Sequence, residues 1–140
     1  EGNSSPGTET ADPERVMDGV VTDVATLSLE RLGDRFVDYL VGSGLAPADS
    51  EDIVMRSFRA AARCSLEAMR DQSRAESVPF DIVLEALYAE LYDMDGPLLS
   101  SVIDLQAVGV REAPCALNAL QEAGIPPSAA QDILRTAGTQ

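Results

Sequence analysis

The chain contains no lysine, no histidine and no tryptophan, and aromatic residues make up only 4% of it. Each absence excludes something. Without histidine, neither cysteine can belong to a Cys-His pair, and a serine nucleophile lacks its commonest base. Two cysteines cannot build a disulfide-dense mini-protein or a four-sulfur zinc site. No apolar run approaches the ~20 residues of a membrane helix. The opening EGNSSPGTETADPER is neither basic nor oily, so it reads as no signal or transit peptide. Positive charge is scarce as well: ten arginines face 24 acids, a net charge of −14. Such a balance repels phosphate backbones and anionic headgroups, so neither nucleic acid nor membrane is expected as a partner.

What is present is aliphatic. Of 140 residues, 45% are hydrophobic, and a chain of this length can bury roughly 70% of its unfolded surface without a metal. The core must be Leu, Val, Ile, Ala and Met. Residues 1–11 are polar, lack periodicity and read as a disordered lead-in, with a glycosylation sequon at Asn3-Ser4-Ser5. Residues 12–140 read as a single helical domain.

Asp12-Pro13 offers an N-cap and a first-turn proline, and Val16, Val20, Val21, Val24 and Leu27 predict a short first helix. Leu29, Leu32, Phe36, Val37, Leu40 and Val41 predict a second, stopped by Gly42-Ser43-Gly44. A long third helix is capped by Asp49 or Ser50 and carries Val54, Phe58, Ala61, Ala62, Leu66 and Met69 on one face. A fourth, capped by Ser77, carries Phe80, Val83, Leu84, Leu87, Tyr88 and Leu91 and ends at Asp95-Gly96-Pro97. A fifth runs from Pro97 to Gly109. A short helix follows Pro114 and closes at Gly124, and a last one opens on the capping-box spacing of Ser128 and Gln131. The expected fold is therefore all-α, a bundle of five main helices plus one or two short C-terminal ones.

Charge is distributed unevenly. Residues 1–49 hold ten acids and three arginines, and residues 75–140 hold ten acids and two arginines. Residues 50–74 hold four acids and five arginines, namely Arg56, Arg59, Arg63, Arg70 and Arg74. The third helix alone does not repel its neighbours, so it is expected to lie centrally with Arg56, Arg59 and Arg63 reaching acids on flanking helices. The competing expectation is pairing within that helix, Asp52 with Arg56 or Arg63 with Glu67. Arginine suits partly buried bridges because its planar fork grips a carboxylate at two points.

Other chemistry fails on spacing. The DMDG of residues 93–96 fails as a calcium loop, which needs glycine and glutamate where this chain has Leu98 and Asp104. The glycines sit at helix ends, with no phosphate-cradling loop. Residues 116–135 have helix-turn-helix length, but only Arg135 could meet phosphate. No catalytic residue, metal ligand or cofactor site is assigned, and the expectation is a protein that is not an enzyme. Cys64 and Cys115 can pair within one chain, pair between chains, or stay as thiols packed like small hydrophobes. Cys64, on a helix flank beside Arg63, is expected to be the more reachable.

The segment RLGDRFVDYLVGSG is similar to the arginine-bearing first helix, and FDIVLEALYAE to the late helix, of the C-terminal non-repetitive domain of spider-silk proteins. The likeness covers roughly residues 27–95, and the acidic N-terminal domain of the same proteins is a second match. Phe80 stands where that family carries its interchain cysteine. The resemblance implies a secreted homodimer of five-helix subunits that keeps a larger silk-like protein soluble and directs pH-sensitive chain association. It further implies that Arg31 or Arg35 meets Asp81, and that Glu85 or Glu90 takes a second arginine. Carboxylates so bridged would be lost as clamps in acid, loosening the bundle. The alternative is a monomeric acidic adaptor or inhibitor that binds a basic protein.

Overall fold

The computed structural model describes residues 13 to 138, with side chains from 14 to 136. The expected lead-in, the sequon and the Asp12 cap lie outside the described residues. The fold is all-α: the described residues form six packed helices and no strand. They are α1 (Pro13–Gly42), α2 (Pro47–Ala75), α3 (Phe80–Leu91), the single turn α4 (Leu99–Val102), α5 (Leu105–Glu122) and α6 (Pro127–Gly138).

Two expected boundaries are absent. The first two predicted helices are one, α1, because no Pro or Gly stop separates Leu27 from Leu29 and the buried stripe runs on. Met17, Val20, Val21 and Ala25 lead through half-buried Leu29 and Leu32 to Phe36 and Leu40 without changing face. Likewise α5 runs through both Gly109 and Pro114. Pro114 and Val110, whose carbonyl would have accepted from residue 114, are both solvent-exposed, so the lost bond is not a buried one. The real start of α5 is Asp104, whose Oδ1 accepts from the amides of Gln106 and Ala107 at 3.1 and 3.2 Å.

Four helices end in one way. In each, an amide bonds the carbonyl five residues back: Leu45 to Leu40 (3.2 Å), Val78 to Ser73 (2.8 Å), Met94 to Ala89 (2.7 Å) and Ile125 to Leu120 (2.9 Å). The residue just before takes a positive φ each time, Gly44 at 109°, Ser77 at 59°, Asp93 at 54° and Gly124 at 93°. This is the Schellman closure. Ser77 therefore ends α2 instead of capping the next helix, which starts behind Pro79, and α3 stops at Leu91, ahead of Asp95. Two further caps shift: α2 begins at Pro47 behind Ala46, ahead of Asp49 and Ser50, and Ser128 lies inside α6, which starts at Pro127.

α2 is the centre. It packs against α1, α3 and α5, while α6 leans on α1 and α5. Contacts of Arg70 with Glu14 and of Arg59 with Thr22 set α1 and α2 antiparallel. Apolar side chains gather in two clusters along this pair. One joins the N-terminal half of α1 and the C-terminal half of α2 to α3, α4 and the start of α5, around Val21, Leu66 and Val83. The other joins the opposite ends to the close of α5 and to α6, around Phe36, Val54 and Ile125. Phe36 meets Phe58 edge-on with ring centroids 5.1 Å apart, a geometry that adds about 0.5–1.5 kcal/mol beyond burial.

Between the clusters, Cys64 of α2 and Cys115 of α5 form a disulfide with Cα atoms 5.8 Å apart. No free cysteine remains. The expected order of accessibility is reversed: Cys64 is 7% exposed, whereas Cys115 sits on the outer side of α5. Its neighbour Arg63 points to α1, but Cys64 itself turns toward α5.

Candidate functional site

Three of the five arginines of α2 reach α1. Arg63 pairs with Asp18, Arg70 lies 3.9 Å from Glu14, and Arg59 Nη1 donates to Thr22 Oγ1 at 3.0 Å. Arg56 stays on its own helix with Asp52 at 3.1 Å. Both members of that last pair are open to solvent, and such contacts contribute about 0–1 kcal/mol each.

The bridges expected from the late helix are not formed. Asp81, Glu85 and Glu90 are exposed, and none has an ion-pair partner among the described residues. Arg31 is exposed and likewise has no such partner there, and Arg35 is half-buried on α1. The reason is register. Tyr88 donates its hydroxyl to Asp23 at 2.5 Å and fixes α3 beside the first half of α1. Arg31 is eight residues farther along, about 12 Å of helix rise. Val83, Ala86 and Leu87 face inward, which turns Asp81 and Glu85 outward. Burial, then the bond to Asp23, pushes the Tyr88 phenol well above its usual range.

The outward side of α3 is the most distinctive surface. Successive residues turn by about 100°, so Asp81, Glu85 and Tyr92 share one arc with Ile82 at its edge, and Glu90 lies opposite them, one residue from the helix end. The segment after α3 folds back over this side. Met94 bonds Ala89, and Gly96 approaches so closely that a Cβ there would lie 2.8 Å from the Ala89 Cβ. Tyr92 stacks on Tyr88 at 5.9 Å. The result is a mixed face. Ile82, Tyr92, Met94 and Leu98 are large exposed apolar side chains, Met94 at 64% and Leu98 at 69%. Exposed Glu85, Asp93 and Asp95 belong to the same helix and segment, and exposed Asp81, at the start of α3, lines a pocket with Arg70 and Arg74 of α2.

No protein-family model, no curated protein and no solved structure matches the chain.

Several polar contacts had no signal in the sequence. Buried Gln72 accepts from Arg111 Nε at 2.9 Å and donates to Glu76 Oε2 at 2.6 Å, and Glu76 Oε2 also accepts the Asp104 amide at 2.8 Å. This run ties the end of α2 to the start of α5. The Asp18–Arg63 and Tyr88–Asp23 contacts span 45 and 65 residues, separations that no local spacing rule can reach. Among the described residues, no three His, Cys, Asp or Glu side chains gather as metal ligands.

Proposed function

We propose that this chain is a non-enzymatic acidic interaction module, an adaptor or inhibitor that takes a basic protein partner on the outer face of α3 and the segment 92–98. One observation carries the reading: four exposed carboxylates, Asp81, Glu85, Asp93 and Asp95, have no ion pair with a described residue and are carried by the same helix and following segment as exposed Ile82, Tyr92, Met94 and Leu98. Apolar side chains supply contact area, and unpaired charge steers and orients an oppositely charged partner. The disulfide fits an oxidising compartment.

The test uses an arginine-rich amphipathic peptide as probe, titrated against the intact chain and against Asp81→Asn/Glu85→Gln/Asp93→Asn/Asp95→Asn. The expected outcome is binding that falls steeply with salt and weakens about tenfold or more in the variant. Equal affinity for both proteins would reject this face.

A second reading, the homodimeric silk-like assembly domain, is favoured by the same exposed apolar group. Pairing that face with itself sets carboxylate against carboxylate, so association would await acid. With both thiols joined inside one chain, such a dimer would be non-covalent. Sedimentation without a partner separates the readings: monomer at every pH supports the adaptor, and a dimer that appears on acidification supports assembly.

A further inference from the structure

Where the two apolar clusters meet, a pocket of about 300 Å³ opens between α1, α2, α5 and α6. That size lies at the lower end of small-molecule sites, roughly 300–1,000 Å³. Its walls include Val24, Leu32, Phe36, Phe58 and Leu120, and Leu134 of α6 stands at the pocket, 48% exposed. The polar lining is limited to Ser28, Ser65 and Glu112. No cationic side chain lines it.

Glu112 is half-buried there. Its Oε1 accepts from the Ser65 hydroxyl at 3.1 Å, and it has no ion pair with a described residue. The neighbouring Arg111 turns away to Gln72. A carboxylate held in an apolar wall without a countercharge is costly, and a cation that fits the wall offsets that cost. The backbone on both sides is fixed, because Ser65 and Ala116 adjoin the joined Cys64 and Cys115.

We propose that this pocket binds a small apolar amine, its ring or short chain against Phe36, Phe58 and Leu120 and its ammonium paired with Glu112. The site is separate from the α3 face, and neither proposal depends on the other. Burial holds the Glu112 carboxyl above its usual range and the Ser65 hydroxyl pulls it back, as expected of an acid that lacks a cation.

Three near-isosteric probes test it on the full, disulfide-intact chain: phenethylamine, 2-phenylethanol and 3-phenylpropionate. Calorimetry should rank the amine first. Glu112→Gln should weaken the amine about tenfold or more while leaving the alcohol unchanged. Ala116→Leu, which narrows the pocket, should weaken amine and alcohol alike. Amide shifts on amine binding should centre on Ala61, Ser65, Glu112 and Leu134. An amine bound no tighter than the alcohol, insensitivity to Glu112→Gln, shifts spread over the α3 carboxylates, or no binding would each overturn the proposal.

Discussion

Ser77 and Asp93 hold the left-handed positions that Gly44 and Gly124 hold elsewhere in the same closure. A side chain there costs roughly 1–2 kcal/mol. Ser77→Gly should therefore raise stability by about 1 kcal/mol once the wider freedom of glycine in the unfolded chain is subtracted, seen as a higher urea midpoint. Glu112 answers to pH. Its folded-state pKa is raised by burial, so the associated stability is full below the ordinary glutamate value of 4.5 and is lost as pH rises through the folded value. Glu112→Gln should be more stable than the native chain at neutral pH, with the gap closing below pH 4.5 in urea titrations. At this scale the sequence was legible where a residue type announces its backbone, as Gly124 and buried Ile125 do. It misread Ser77 as the cap of the next helix and was silent on Asp93, where a side chain takes a glycine's place. It also misassigned the carboxylates of α3, because the partner of a side chain is set by how helices dock, here by buried Val83, Ala86 and Leu87 and by the bond of Tyr88 to Asp23.

Helices were legible by their stripes and poorly legible at their ends. α5 is the clearest case: Gly109 reads as a stop and Pro114 as the point after which a separate helix begins, yet Val108 and Leu120 are both buried in one unbroken helix, and tertiary packing overrides a local penalty. That penalty remains measurable. Pro114→Ala should stabilise the chain by on the order of 1–3 kcal/mol, since it restores an amide beneath the Val110 carbonyl. A urea midpoint unchanged or lowered would show that the ring itself contributes packing. The central place of α2 was legible from charge alone, because the one segment with more arginines than acids is the one that can sit among the others.

For the molecule as a whole, the long-range crosslink matters most. The disulfide closes 51 residues of chain, and the loop-entropy relation assigns such a closure about 4 kcal/mol, within the usual 2–5 for removing a native disulfide. Cys64→Ala/Cys115→Ala should lose that much in equilibrium unfolding, a large share of the 5–15 kcal/mol typical of a domain. The all-α class was readable from composition and periodicity, whereas the cysteine pairing was not, because three fates were compatible with two residues so far apart.

The covalent ring from Cys64 to Cys115 encloses α3, α4 and the exposed segment 92–98, and leaves α1 and α6 outside it. A protease that cuts between Asp93 and Leu98 would therefore sever the chain without releasing a fragment. The nicked protein would migrate as one band in a denaturing gel and split into two only after reductant is added.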